Sequence, residues 1–373
     1  MSIFSRCVCC VEPTSTAQSK ALSRRSLLLQ GAATLGAAAC AALASSPAAF
    51  AQARVIDALA PAAKPRIIDV HHHLAPPGYV SELARRRLNE PVLERWSPAQ
   101  SIEEMDRSGI ATSITSITNP GVWFGDDAAA VALARACNEY AARLVADHRG
   151  RFGMFAVLPL PDIDGSLREI EYGLDVLKAD GVCLMTSYGD KWLGDKAFAP
   201  VMDELNRRKA VVYTHPNLPD CCRNLIAEVP RAVIEFQTDT TRTIASILFS
   251  GTAARCPDVR FVFSHGGGTM PYLIERFTRL PQTNKNAAAA VPDGVVTMLG
   301  RFYYDVAQVS NAVAMAALTK VVPSTQIVFG TDFPFRTAAD QMRGLQAAGL
   351  SESDLRRIEF ENALVLLPRL RAG

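Results

Sequence analysis

From residue 66 onward, short apolar runs alternate with longer amphipathic stretches, and this pair of patterns repeats about eight times. The runs are rich in Val, Ile, Phe and Thr, a composition typical of buried strands. They predict strands at residues 67–71, 113–118, 152–158, 181–186, 210–215, 260–264, 302–306 and 326–331. The stretches between them predict helices near 98–108, 127–147, 166–179, 197–208, 239–250, 269–280, 311–321 and 338–347, and a C-terminal helix from about 352.

Eight strand–helix units in roughly 310 residues predict one α/β domain, a single (β/α)8 TIM barrel over residues 66–373. Such a barrel builds its functional site at the carboxyl ends of its strands. A doubly wound open sheet is the alternative, but the first predicted strand lacks the Gly-x-Gly-x-x-Gly turn typical of that fold. Glycines stand where four of the helices are expected to end: Gly109, Gly150, Gly181 and Gly251.

Two segments do not fit this alternation. Residues 75–97 follow the first predicted strand, and residues 281–298, which include a run of alanines, follow the sixth unit. Both lie on the predicted functional face or beside it. We therefore expect each of them to form either a lid over the site or a subunit contact.

The first 51 residues resemble an export signal rather than part of the domain. The pair Arg24-Arg25 precedes an apolar run, and residues 49–51 fit an A-x-A cleavage site. This pattern predicts a cleavable twin-arginine (Tat) signal peptide over residues 1–51, followed by a linker at 52–65. A membrane anchor is the alternative, and the short, weakly apolar run disfavours it. We expect a periplasmic protein, or a cytoplasmic one if the signal is not used.

Composition and charge restrict the picture further. The 373 residues are 49% hydrophobic and 20% charged, as in an ordinary soluble protein with a full core. The formal net charge is +2, and residues 1–51 alone contribute +3, so the rest carries −1 and shows no nucleic-acid signature. Four of the nine cysteines lie in the signal, and the remaining five are odd in number, which argues against a disulfide framework.

Histidines stand at the ends of predicted strands. Only six occur in the chain, and His71, His72 and His73 close the first strand. Because side chains alternate along a strand, His71 and His73 share one side, whereas His72 points to the other and fits a core or supporting role. Later strands end in three more candidates: His215, His265 and Asp332. These ends converge in a barrel, which predicts a divalent metal site suited to Zn²⁺, with Mn²⁺ or Fe²⁺ as alternatives.

Four motifs resemble, in order and spacing, the amidohydrolase superfamily, in the branch typified by 2-amino-3-carboxymuconate-6-semialdehyde decarboxylase. They are Asp69-x-His71-x-His73, Thr214-His215-Pro216, Ser264-His265-Gly266-Gly267-Gly268 and Gly330-Thr331-Asp332-Phe333-Pro334. Stretches between them look most like 6-methylsalicylate decarboxylases, among them Trp96-Ser97-Pro98, Leu158-Pro159-Leu160-Pro161 and Asp239-Thr240-Thr241-Arg242. The resemblance covers the chain from about residue 66 and implies a barrel of the metal-dependent hydrolase type.

The resemblance also implies roles for individual residues. It makes four residues the metal ligands: His71, His73, His215 and Asp332. It implies a carboxy-lyase that releases CO2 with one divalent ion, Zn²⁺ or alternatively Mn²⁺, and without an organic cofactor. In that chemistry Asp332 is both a ligand and a proton donor, and His265 orients or deprotonates a bound water or phenol. Asp69 is then expected to steer a ligand by hydrogen bonding.

The expected substrate is a small aromatic hydroxy acid such as 6-methylsalicylate. Arg276, eleven residues after His265, matches a family arginine that binds the substrate carboxylate, sometimes from the neighbouring subunit; a surface helix arginine is the alternative. The resemblance implies a homodimer, with residues 75–97 and 281–298 as candidate contacts. Neither a nucleic-acid partner nor a stable membrane anchor is expected.

Other interpretations stay open at the level of sequence. A hydrolase such as a lactonase would use the same ligands with metal-activated water and His265 as base. A non-catalytic exported binding protein is disfavoured because the ligand set is intact. The run Gly266-Gly267-Gly268 fits either a phosphate cradle or a close turn that lets His265 face the metal. The pair Cys221-Cys222 fits either soft metal ligands or ordinary loop residues.

Overall fold

Eight parallel strands form one sheet in the computed structural model, which describes residues 66–222 and 225–372. The predicted signal and linker lie outside the described residues. The barrel strands and one short antiparallel pair (β5 and β6) are, in chain order, β1 Ile67–His73, β2 Ile110–Ser116, β3 Phe152–Val157, β4 Gly181–Met185, β5 Ser187–Tyr188, β6 Lys191–Trp192, β7 Val211–His215, β8 Arg260–Phe263, β9 Tyr303–Asp305 and β10 Ile327–Val328.

The sheet curves until its first and last strands meet. Its order is β1-β2-β3-β4-β7-β8-β9-β10, with every neighbouring pair parallel. The N–H of Val70 in β1 donates to the Phe329 carbonyl just after β10 at 3.0 Å, and the N–H of His73 donates to the Phe333 carbonyl at 2.7 Å. These bonds nearly close the barrel. The predicted α/β barrel is thereby confirmed, and the open doubly wound sheet is excluded.

Helices separate successive barrel strands along the chain, and short 3₁₀ and π turns extend several of them. The α-helices are α1 Pro77–Arg85, α2 Pro91–Glu94, α3 Pro98–Ser108, α4 Asp127–Asp147, α5 Ile163–Glu171, α6 Ala199–Arg207, α7 Arg231–Phe249, α8 Thr252–Arg255, α9 Ile274–Thr283, α10 Lys285–Ala290, α11 Val295–Leu299, α12 Ala312–Val321, α13 Ala338–Ala347, α14 Glu352–Arg356 and α15 Asn362–Leu366. No helix of the described residues combines the length and apolarity needed to span a bilayer.

Local signals explain where the best-predicted helices begin and end. The Ser97 hydroxyl accepts the Gln100 N–H at the start of α3, and Gly109, with φ 69°, ends it in the left-handed region. The predicted bounds of α3, α4 and α13 therefore agree with the structure. Gly181 is an exception, because it begins β4 instead of ending a helix. A Cβ there would meet the Val211 carbonyl oxygen at 2.5 Å, so close strand packing explains this glycine.

Among the predicted helices, the largest disagreement about where a helix begins concerns α7. The sequence predicts a helix from residue 239, whereas α7 begins at Arg231, eight residues earlier. Two of the apolar residues in this first part, Val233 and Ile234, are 61% and 44% exposed. Apolar side chains that face solvent break the periodicity on which helix prediction depends. The early turns of α7 turn out to line the functional cavity.

Candidate metal centre

Imidazole and carboxylate groups converge at the carboxyl ends of β1, β7 and β10. His71 and His73 end β1, His215 ends β7, and Asp332 follows β10; all four are buried, and their candidate ligand atoms lie within 4.8 Å of one another. Nε2 of His71 lies 3.1 Å from Nε2 of His73 and 3.2 Å from Oδ1 of Asp332. The structure brings together the four residues predicted as ligands, and their coordination of a metal stays a prediction.

Hydrogen bonds on the outer side of the cluster determine which nitrogen of each imidazole faces inward. Each ring presents Nδ1 to an oxygen outside the cluster: His71 to Asp305 Oδ2 at 2.8 Å, His73 to the Ser116 carbonyl at 3.2 Å and His215 to the Pro216 carbonyl at 3.0 Å. A carbonyl oxygen only accepts, so Nδ1 of His73 and of His215 carries the proton and Nε2 offers a lone pair. Lone pairs and a carboxylate oxygen aimed at one small space repel unless a cation lies between them, and this donor set therefore fits a divalent metal.

The charges of the cluster also favour a cation. Burial lowers the pKa of His71, but the carboxylates of Asp305 and Asp332 outweigh burial and raise that pKa to about 10. Burial lowers the pKa of His73 and depresses the pKa of His215 well below its usual range. Burial alone would raise the pKa of Asp332, but the charge of His71 and a hydrogen bond from the His71 ring hold it well below its usual range. The proton on His71 thus supplies the positive charge that a bound metal ion would supply in its place.

Asp69 supports the cluster from behind β1. Its carboxylate accepts the backbone N–H of His71 at 3.1 Å, and the N–H and hydroxyl of Thr331 at 3.0 and 2.7 Å. It also lies 3.0 Å from Nδ1 of His72, whose Nε2 lies 2.8 Å from the Ser101 hydroxyl. His72 therefore points away from the cluster, as strand alternation predicts. Asp69 positions the candidate ligands through the backbone of β1 and of the loop that carries Asp332.

Asp305, at the end of β9, is a site residue that the sequence analysis missed. Besides facing Nδ1 of His71, its carboxylate accepts the backbone N–H groups of His265 at 2.8 Å and of Ala307 at 3.0 Å. It is fully buried. Asp305 thus connects a ligand to His265. The available signal was its position, because it ends a barrel strand in a carboxylate.

His265 lies beside the cluster with its ring centre 5.0 Å from that of His71. Nδ1 donates to the Ala307 carbonyl at 2.9 Å, so Nε2 is left as an acceptor. The backbone at His265 is left-handed, with φ 54°, and the three following glycines also have positive φ. A Cβ on Gly268 would clash with the Gln237 carbonyl. The glycine run is therefore a close turn that directs His265 towards the cluster.

Left-handed backbone at residues other than glycine is concentrated here. His265, Gln308 and Asp332 have φ of 54°, 57° and 65°. Nε2 of Gln308 donates to Oδ2 of Asp332, and the N–H of Gln308 donates to the Gln341 side chain at 3.1 Å. Such backbone strain persists only where surrounding contacts impose it, and it is typical of functional sites. Gln308 is a second residue that the sequence analysis did not single out.

A cavity of about 260 Å³ opens over the cluster, a volume suited to a small ligand. Its walls combine aromatic, polar and charged side chains: Glu90, Thr118, Asn119, His215, Pro230, Arg231, Ala232, Phe236, Gln237, His265, Gln308, Asp332 and Phe335. Glu90 comes from the segment 75–97, which agrees with a covering role for that segment. Among the described residues, the segment 281–298 contributes nothing to this lining.

Two predicted candidates lie elsewhere. Arg276 is exposed on α9 and does not line the cavity of its own chain. Its contact with a substrate carboxylate would have to come from a second chain, and it stays a prediction. Cys221 and Cys222 belong to neither of the two groups of candidate ligands found among the described residues, and all five cysteines there are free. This favours the interpretation of the cysteine pair as loop residues.

This chain is similar in sequence to proteins of known family. The amidohydrolase family profile matches residues 68–369. The 6-methylsalicylic acid decarboxylase of Aspergillus aculeatus is 36% identical over 319 residues, which cover 82% of this chain and 96% of the fungal protein. The 6-methylsalicylic acid decarboxylase of Penicillium expansum is 35% identical over 315 residues, which cover 82% and 97%.

Solved structures share the fold. The 5-carboxyvanillate decarboxylase of Novosphingobium aromaticivorans, determined with bound manganese, matches with a TM-score of 0.75. The match covers 81% of this chain and 97% of that chain at 20% sequence identity. At this identity the likeness supports the barrel architecture alone.

Proposed function

This chain belongs to the amidohydrolase family, and we propose that it is a metal-dependent carboxy-lyase that decarboxylates a small aromatic hydroxy acid such as 6-methylsalicylate. The observation that carries the proposal is the convergence of three imidazoles and Asp332 beneath a cavity with aromatic walls. The fungal relatives described above are named decarboxylases, so a lyase is favoured over a lactonase on the same scaffold.

The proposed cofactor is one divalent ion held by His71, His73, His215 and Asp332. Three imidazole nitrogens and one carboxylate oxygen suit Zn²⁺, and Mn²⁺ is the alternative. When bound, the ion supplies Lewis-acid chemistry that orients the oxygens of the acid and withdraws electron density from them. The lone pairs of His73 and His215, which face inward because both rings donate from Nδ1 to backbone carbonyls, are the observation that supports this role.

Decarboxylation exchanges a carbon–carbon bond for a carbon–hydrogen bond. The ring carbon that bears the carboxylate accepts a proton, CO2 leaves, and the electrons of the broken bond restore the aromatic ring. Asp332 is the proposed proton donor, because its carboxylate lines the cavity and Gln308 holds its outer oxygen. Its pKa lies well below the usual range, so Asp332 is ionised at rest and must first take a proton from solvent or from the bound acid.

His265 is the second proposed acid/base group. Its Nε2 is an acceptor, since Nδ1 donates to the Ala307 carbonyl, and it can hold or remove the proton of a substrate hydroxyl. Phe236 and Phe335 line the same cavity and supply aromatic surface against which a ring can pack. The residues of the chain thus orient the acid, exclude water from its ring and move one proton.

The deciding experiment offers the purified, metal-analysed protein a panel of hydroxybenzoates, including 6-methylsalicylate, together with aryl lactones. We expect release of CO2 from an ortho-hydroxy acid, loss of this activity after chelation, and recovery with Zn²⁺ or Mn²⁺. CO2 and products are followed by chromatography. Opening of a lactone ring without release of CO2 would show that the protein is a hydrolase instead of a carboxy-lyase.

We further propose that the protein acts as a homodimer in the periplasm after export. The twin-arginine pair and the A-x-A triplet support export. The dimer is supported by Arg276, because from its exposed position on α9 this residue could make the expected contact with a substrate carboxylate only in the cavity of a second chain. Size-exclusion chromatography with light scattering measures the oligomeric state. A monomer that retains full activity would refute the dimer.

A further inference from the structure

The first two turns of α7 form one wall of the cavity, and the mechanism above leaves most of this wall unused. Arg231, Ala232, Phe236 and Gln237 face the cavity from these turns. The wall is absent from the sequence interpretation because the predicted helix began only at residue 239.

Among the described residues, Arg231 is the only Lys or Arg whose side chain lines the cavity over the metal cluster. It also lines an adjoining cleft of about 540 Å³, which shares Glu90 and Asn119 with the cavity, so it stands where the two spaces join. The other arginine of that cleft, Arg86, is paired with Glu82 at 2.5 Å and covers the ring of Phe124. Within the described part of the chain, Arg231 takes part in no such ion pair. Its position at the junction of the two spaces places its guanidinium where an anionic ligand can meet it.

Gln237 provides a second, independent sign of a ligand. Its Oε1 is buried and has no hydrogen-bond partner among the described residues, although the side chain lines the cavity. A buried acceptor without a partner costs free energy, and a donor on a bound molecule recovers that cost. The wall thus presents a cation to whatever fills the cavity and holds an acceptor without a partner beside it.

We propose that the start of α7 is the substrate-recognition wall of this enzyme. Arg231 binds the carboxylate of the aromatic acid by charge-assisted hydrogen bonds, and Gln237 accepts a hydrogen bond from a hydroxyl or amino group on the ring. Because Glu90 also belongs to the lining, the mouth of the cavity matches one carboxylate and repels a second. The inference rests on the proposed function. It narrows the substrate class to aromatic acids with one carboxylate and with a hydroxyl or amino group on the ring that donates a hydrogen bond towards α7.

The test for Arg231 measures binding, so it does not depend on turnover. Titration calorimetry on the metal-loaded full chain compares salicylate with phenol, which lacks the carboxylate. In Arg231→Met we expect the Kd of salicylate to rise about tenfold or more and that of phenol to stay within twofold. Arg231→Lys restores part of the affinity, because it keeps the charge but loses the planar fork.

The matched control is Arg279→Met, which removes an exposed arginine of α9 that lies outside the cavity lining. It is expected to bind both probes as the unmodified chain does. Metal content is measured in every variant. Unchanged salicylate binding in a metal-replete Arg231→Met protein would overturn the role of Arg231.

The test for Gln237 compares 2,6-dihydroxybenzoate with 6-methylsalicylate. The first acid has a second hydroxyl, a hydrogen-bond donor, where the second acid has a methyl group. Gln237→Leu is expected to lower the preference for the dihydroxy acid about fivefold or more, since only that acid loses a hydrogen bond. An unchanged ratio of the two Kd values would refute the acceptor role. If both binding tests succeed and no acid releases CO2, the recognition wall stands and the decarboxylase proposal fails.

Discussion

Single hydrogen bonds determine the chemistry of this site at the residue scale. The Ser116 and Pro216 carbonyls hold the protons of His73 and His215 on the outer nitrogens, and Asp305 does the same for His71. The inner nitrogens thereby face the small space in which a metal ion would lie. Strand-end positions made the candidate ligands predictable. The outer partners come from β2, β9 and the residue after β7, and of these only Asp305 carries a local signal, its position at a strand end.

Asp332→Asn tests the double role of this carboxylate. The amide cannot deliver a proton, so we expect kcat to fall about 10²–10⁴-fold, with a barrel that remains folded. Activity is measured at saturating metal, and metal content is determined in the same sample, which separates lost proton transfer from lost binding. Near-normal turnover in a metal-replete variant would contradict the mechanism.

Metal binding is expected to release a proton from His71. In the metal-free protein the pKa of His71 is raised to about 10, so at pH 7 the ring is charged and a metal must displace its Nε2 proton. The apparent affinity should therefore increase about tenfold per pH unit from pH 7 and level off near pH 10. Calorimetry in buffers with different ionisation enthalpies counts the protons released.

Asp305→Asn is the companion variant for this measurement. It removes one of the two carboxylates that keep His71 charged, so fewer protons should be released at pH 7. It also removes the carboxylate that orients the ring, and metal affinity should fall about 10–100-fold. Identical proton release in both proteins would refute the assignment of the titrating group.

At the scale of elements, the site depends on how closely strand ends approach one another. Gly330 follows β10 where a Cβ would lie 2.8 Å from Cβ of His71 and 3.1 Å from Cβ of Asp305. The sequence predicted the two strands but not this approach, because β1 and β10 are more than 250 residues apart. The start of α7 was missed for a related reason, since its exposed apolar residues satisfy no local periodicity.

Gly330→Ala is expected to disturb the cluster. Overpacking at this position should lower the free energy of unfolding by about 1–3 kcal/mol and weaken metal binding, because His71 must move. Gly78→Ala in α1 is the control, since a Cβ there meets nothing within 4 Å. Thermal melting and metal titration of both variants provide the comparison. Equal stability and equal metal affinity in the two variants would contradict the idea that Gly330 is needed for the close approach of these strand ends.

At the scale of the whole molecule, the described elements from β1 to α15 form one barrel domain. Its closure by hydrogen bonds from Val70 and His73 places residues from both ends of the chain in one site. The count of strand–helix units predicted this architecture correctly. The cavity over the site could not be predicted in the same way, because its lining comes from seven separate stretches between Glu90 and Phe335.

Export is a property of the whole chain and is tested on it. Replacing Arg24 and Arg25 with lysines should block twin-arginine transport and leave an uncleaved protein in the cytoplasm. Mass spectrometry of fractionated bacteria is expected to find the unmodified chain in the periplasm beginning at Gln52. Finding that chain at full length in the cytosol would refute the signal.

The sequence by itself determined the barrel and the four candidate metal ligands that the structure brings together. Both follow from local rules, namely hydrophobic periodicity and the identity of the residue at each strand end. Only the tertiary structure decided that Asp305 orients His71, that Gln308 holds Asp332, and that Arg231 and Gln237 face the cavity while Arg276 does not. These relations join elements far apart in the chain, and their geometry depends on barrel closure and on the packing of α7, which no local pattern encodes.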